Sequence, residues 1–158
     1  QDWNACGWLI LISEAYAVHE PWLLTRYNDY GKNLRERLTL GAFVSAADYI
    51  HAVRFRRELQ ENLAAVMTDV DLLVLPTTSG PAPRLSDVPS FGLFETPNFT
   101  IPFNVAGVPA LSVCNGFSSS GLPLALQIVG RPFEEARVLQ AGHAYEQATP
   151  WKERRPVL

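Results

Sequence analysis

Residues 71–77 read Asp-Leu-Leu-Val-Leu-Pro-Thr, an unbroken apolar run that follows an acid and is stopped by Pro76. Apolar character without alternation is the pattern of a strand covered on both faces, as in a helix-flanked sheet. The segment before it reads as helix. Ser45-Ala-Ala-Asp48 resembles a capping box, with the Ser45 hydroxyl accepting from a first-turn N–H and Asp48 near the positive dipole end. From there to about residue 67, Tyr49, Ala52, Val53, Leu59, Leu63 and Val66 define an apolar stripe. Arg54 with Glu58 and Arg57 with Glu61 form i,i+4 pairs on the solvated side. A long amphipathic helix delivering a buried strand points to an α/β core.

Further upstream, Trp8, Leu9, Ile12, Ala15, Tyr16 and Leu23 recur near helical spacing, with Pro21 predicted to end or restart a turn. Residues 27–41 are polar and interrupted by Gly31, which predicts a short helical turn over 32–38 and a stop at Gly41. Downstream, residues 77–97 hold Pro81, Pro83, Pro89 and Pro97 with Gly80 and Gly92, the composition of a long irregular loop. Loops of that length in compact domains tend to be functional. Residues 111–114 and 122–129 read as a hairpin turning through Ser118-Ser-Ser-Gly121. A last helix follows Pro132, with Glu134 and Glu135 in its first turn and Val138, Leu139, Ala141, Gly142 and Tyr145 facing inward. Helix, strand, loop, hairpin, helix is the order expected on one side of a layered α/β/α domain.

A length of 158 residues suits one domain or part of one. The net charge of -3 and the pI near 5.6 offer no basic patch for a phosphate backbone, so no nucleic-acid partner is expected. Cys6 and Cys114 form neither a disulfide framework nor a metal-ligand spacing, which points to reduced thiols and a cytoplasmic location. The apolar run over residues 8–12 is far shorter than the ~20 residues that cross a bilayer, so no membrane partner is expected. The opening QDWNACGW carries no secretory leader and no initiator methionine, and reads as an internal cut. His19, His51 and His143 lie on separate predicted helices without metal or relay spacing, and neither a phosphate loop nor a cofactor motif occurs. No cofactor and no metal are expected.

Three phrases in fixed order carry a resemblance: DLLVLPT at 71–77, TIPFNVAGVPALSV at 100–113 and GLPLALQIVG at 121–130, the last followed by an apolar helix and Trp151. Together they resemble the C-terminal half of the amidase-signature family, over roughly residues 26–151. The resemblance implies a layered α/β/α domain with a mixed sheet flanked by helices, of which residues 1–158 form the C-terminal portion. It implies an amidohydrolase that converts a small carboxamide to carboxylate and ammonia through a serine acyl-enzyme. The family's nucleophilic serine, its cis-peptide serine and its lysine base lie in an N-terminal half that has no counterpart here. The chain alone is therefore expected to be inactive, with no catalytic residue of its own. Ser118, Ser119 and Ser120 form a turn, and Lys32 and Lys152 match no catalytic motif.

What the resemblance leaves to this chain is the substrate pocket. Arg37, in the phrase LRERLTLG, stands where the family's tRNA-linked, glutamine-using amidotransferases hold the substrate carboxylate, a task that suits a guanidinium fork. Those enzymes use an aspartate for the substrate amino group three residues before Thr100, where Pro97 stands here. The exchange favours an apolar pocket for an aromatic or aliphatic amide, lined by Phe94, Thr100, Phe103 and Asn104. Cys114 replaces the family's usual proline and Ala125 a usual glycine. Gln127 is read as satisfying buried backbone groups. Expected partners are a small amide substrate, the N-terminal half of the same enzyme and a second copy in a homodimer. Two alternative readings are the amidase-type component of a tRNA-dependent glutamine amidotransferase and a non-catalytic scaffold.

Overall fold

A computed structural model describes residues 2–88, 91–92 and 98–154. The chain opens on a long helix, α1 (Asp2–Arg26). A short helix, α2 (Lys32–Thr39), and a 3-10 turn over Leu40–Phe43 lead into a second long helix, α3 (Ala46–Val66). Strand β1 (Leu73–Pro76) follows, then the proline-rich loop and the short helix α4 (Ile101–Ala106). Strands β2 (Ala110–Phe117) and β3 (Pro123–Val129) follow, then the helix α5 (Glu135–Ala148) and a 3-10 turn over Trp151–Glu153.

The strands form one sheet in the order β1-β3-β2, and both pairings are antiparallel. Gln127 in β3 lies opposite Leu75 of β1 on one side and Ser112 of β2 on the other. Helix α5 packs on β2 and β3. There Val113, Ile128 and Val138 are buried together, with Leu111, Leu126, Ala141 and Tyr145 against them. A β-carbon on Gly142 would run into the Leu111 side chain, so glycine lets α5 approach the sheet closely. A second core joins α1, α3 and α4 through Cys6, Ile10, Ala52, Leu59, Ile101 and Val105. Within it the Cys6 thiol donates to the Ala52 carbonyl at 3.3 Å. Burial pushes that thiol up from its ordinary value, against the opposing pull of Arg56, as befits an inert core cysteine.

Several expectations are corrected. Pro21 lies inside α1 and does not end it. Its ring removes one helical N–H, but the next turn buries Leu23 and the Thr25 hydroxyl donates to the Pro21 carbonyl at 2.8 Å. Among the described residues, strand β1 lies at the edge of the sheet and is not covered on both faces, with Val74 62% exposed. Along α3, Val53 and Val66 face outward while Ala52 and Leu59 carry the burial, because the stripe follows contact with α1 and α4. Leu139 in α5 likewise faces outward. Arg57 pairs with Glu61 at 3.2 Å, whereas no Arg54–Glu58 pair is found among the described residues.

The predicted capping box at the start of α3 is present. The Asp48 N–H donates to the Ser45 hydroxyl oxygen at 3.1 Å, while the Asp48 carboxylate accepts from the Ser45 hydroxyl at 2.6 Å and from the Ser45 N–H at 3.3 Å. These bonds, the hydroxyl first, hold the Asp48 carboxyl below the ordinary carboxylate value. A depressed folded-state value stabilises the fold above the unfolded-state value, and that contribution is lost as pH falls through the folded one. Ser45→Ala is therefore expected to move the Asp48 titration, followed by NMR, back up toward the ordinary range. It should also shrink the acid-side loss of stability.

Candidate functional site

The second phrase of the sequence motif folds as a turn, a helix and a strand. Asn98 organises the turn: its side-chain oxygen accepts from the Thr100 N–H at 2.9 Å, the Thr100 hydroxyl at 2.7 Å and the Ile101 N–H at 3.3 Å. These bonds satisfy donors at the head of α4 that have no intrahelical partner. Gly107, at φ 75°, ends α4 in the left-handed region and turns the chain into β2. Phe103 is buried and Asn104 exposed.

Between this turn and the sheet lies a cavity of about 170 Å³. It is lined by Thr77 of the first phrase, by Thr100, Phe103, Asn104, Ala110, Leu111 and Ser112 of the second, and by Gln127 of the third. It shares Thr77 and Thr100 with an open groove of about 630 Å³, lined by residues 77–83, by residues 98–100 and by Pro123 and Ala125 of β3. Every side chain lining either space, among the described residues, is apolar, hydroxyl or carboxamide.

The hydroxyls are already partly ordered. Thr77 Oγ1 and Ser112 Oγ lie 3.1 Å apart and share one hydrogen bond. The Thr100 proton is committed to Asn98, which leaves the Thr100 oxygen as an acceptor suited to an amide N–H. Gln127, only 2% exposed, donates from Nε2 to the Pro76 carbonyl at 3.1 Å and to the Phe99 carbonyl at 2.9 Å. It thus bonds two backbone carbonyls at part-buried positions rather than standing free in the cavity.

Of the residues singled out from sequence, Thr100, Phe103 and Asn104 are brought together around one cavity. Arg37 is not among the residues lining it: it sits half-buried in the last turn of α2, which packs on α1. Phe94, like Pro97, lies outside the described residues. Sequence reading passed over Thr77, Asn98 and Ser112. Asn98 carried a usable signal, since an asparagine two residues ahead of a threonine at a helix start is the setting of a side-chain turn. The serine-rich stretch 118–121 is a hairpin turn in which the Gly121 N–H donates to the Ser118 carbonyl at 2.9 Å. The described residues contain no cluster of metal-ligating side chains, and no described helix is long and apolar enough to cross a membrane.

The fold and cavity define an α/β domain with an uncharged, hydrogen-bonding pocket between a short helix and a sheet. The sequence matches the Amidase family over residues 11–139, and the chain belongs to this family of amidase-signature enzymes. It is 36% identical over 146 residues to the A-type subunit of the glutamyl-tRNA(Gln) amidotransferase of Thermodesulfovibrio yellowstonii, an alignment covering 88% of this chain and 30% of that protein. A crystal structure of an amidase superposes with a TM-score of 0.78 at 31% identity, over 87% of this chain and 33% of that one. The structure of 6-aminohexanoate cyclic dimer hydrolase with its substrate gives a TM-score of 0.80 over 99% of this chain and 36% of that one. At 24% identity this last likeness shows the fold alone. The chain spans about 30% of the length of the curated relative.

Proposed function

We propose that these residues are the C-terminal, pocket-forming portion of an enzyme that hydrolyses a small uncharged carboxamide. The observation that carries this reading is the meeting of all three sequence phrases around one cavity whose described lining bears no formal charge. In the proposed reaction, a serine supplied by the rest of the enzyme attacks the amide carbonyl carbon and its proton passes through a base to the departing nitrogen. The C–N bond breaks, ammonia or an amine leaves, and an acyl ester remains on the serine. Water then attacks that ester, releasing the carboxylate and restoring the serine hydroxyl. The Thr100 oxygen accepts from the substrate N–H, Phe103 and its neighbours exclude water, and Asn104 stands at the mouth. The enzyme is taken to work in the cytoplasm, as a monomer or a homodimer, and these residues alone are expected to hydrolyse no amide.

A second reading, the amidase-type component of a tRNA-dependent glutamine amidotransferase, is favoured by the 36% identity to such a protein. Glutamine carries an ammonium and a carboxylate, and burying either without a paired charge is costly. Pro97 cannot supply the partner for the ammonium. Turnover by the intact enzyme decides between the two. Neutral aryl or alkyl carboxamides are expected to exceed glutamine in kcat/KM by at least ~100-fold, the scale of a charge left unpaired. A preference for glutamine would overturn the neutral-amide reading in favour of the amidotransferase.

A further inference from the structure

The geometry points to Gln127 as the residue that sets the width of the substrate cleft, a positioning role that rests on reading this cavity as the amide pocket. Gln127 belongs to the central strand, and one of its two donor bonds reaches the last residue of β1 while the other leaves the sheet for the turn ahead of α4. One holds the carbonyl of Pro76, whose next residue, Thr77, begins one wall of the groove. The other holds the carbonyl of Phe99, whose next residue, Thr100, belongs to the second wall stretch, residues 98–100. One NH₂ group therefore bonds both stretches and ties the Phe99–Thr100 turn to the end of β1. The Thr77 side is also bonded to the sheet through its N–H to the Ala125 carbonyl at 3.0 Å and its hydroxyl to Ser112, and the Phe99 side is held through the Asn98 turn, in which the Asn98 N–H donates to the Asn4 side-chain oxygen at 3.1 Å. Gln127 touches no reacting atom in this scheme. It acts by keeping the acceptor oxygen of Thr100 at a fixed reach from the sheet.

A carboxyl in place of the carboxamide turns this role into a pH signal. Gln127→Glu keeps the shape but puts an acid against two carbonyl oxygens at a site 2% exposed to solvent. Burial and those oxygens both disfavour the anion, so its pKa should rise well above the usual glutamate value of about 4.3. The neighbours that face it are Leu75 on β1, Ser112 on β2, and Thr77, Thr100, Phe103 and Asn104 around the cavity, none of which titrates near neutrality. Protonated, the acid can hold one wall. Ionised, it repels both.

The experiment compares the intact parent enzyme with Gln127→Glu and Gln127→Met, following kcat and KM for a neutral carboxamide across pH and hydrogen exchange over residues 77–83 and 98–101. Gln127→Met should raise KM about tenfold or more, with a smaller change in kcat, and should speed exchange on the 98–101 wall most. Gln127→Glu should approach the parent KM at low pH and lose it as pH rises, with exchange on that wall following the same curve. A KM that stays parental in both variants, or one that rises in Gln127→Glu without any pH dependence, would overturn the role. Should the parent turn over no carboxamide, the functional reading falls, and the exchange curves alone decide whether Gln127 holds the two walls.

Discussion

Truncating Ile128 to alanine is expected to cost about 2–5 kcal/mol of stability, among the largest effects of any single substitution in the chain. Ile128 is 3% exposed and sits on the central strand, with Val74 of β1 and Leu111 of β2 as its cross-strand neighbours. It contributes to a small core in which the fully buried members are Val113, Ile128 and Val138. A core of few residues has little freedom to collapse into a void, so the cavity penalty should add almost fully to the lost transfer energy. Ile128→Val removes one methylene and should cost about 0.5–1.5 kcal/mol. Urea unfolding of the intact protein carrying each variant provides the measurement. A loss below ~1 kcal/mol for Ile128→Ala would mean that α5 is held to the sheet by something other than this core.

Much of this architecture was legible in the sequence, because the signals involved are local. The capping box at Ser45 is a four-residue pattern, and the serine-rich turn depends on its immediate neighbours. Thr100, Phe103 and Asn104, singled out from the second phrase, line one cavity. What the sequence did not show depends on which neighbour an element meets. The apolar run at β1 was read as doubly buried, yet burial is conferred by a covering layer, and α5 packs over β2 and β3. Val53, Val66 and Leu139 are apolar at helical spacing but point away from the partners their helices meet. Pro21 stays within a helix because tertiary burial of the following turn outweighs one missing hydrogen bond. Arg37 was grouped with Thr100 by resemblance alone, and nothing in the local sequence fixes the direction in which α2 carries it.

The link between the two cores leads to the other large effect, expected for Arg131→Met. The Arg131 guanidinium donates to the Met67 carbonyl at 3.1 and 2.9 Å and to the Val70 carbonyl at 2.7 Å, at the end of α3 and in the turn beyond it. It also lies 3.8 Å from the Asp71 carboxylate and 3.6 Å from that of Glu134. One side chain from the segment between β3 and α5 thus closes the last turn of α3 and neutralises acids on both sides of the junction. The ion pairs count for little, since Asp71 is 78% exposed. The carbonyl bonds count for more, because the donor is charged and the Met67 acceptor is partly enclosed. Methionine keeps much of the stem and removes every donor, at an expected cost of about 2–4 kcal/mol. Glu134 would keep Arg137 as a partner, but that contact is 3.7 Å long and its Oε2 is buried without a hydrogen bond. Because Arg131 joins the α1–α3–α4 core to the sheet, its loss should also weaken the coupling between them. Calorimetry of the variant is then expected to give a van't Hoff enthalpy below the calorimetric one, as two partly independent units unfold. A single sharp transition at the parent temperature would show that the helical core and the sheet are joined by other contacts.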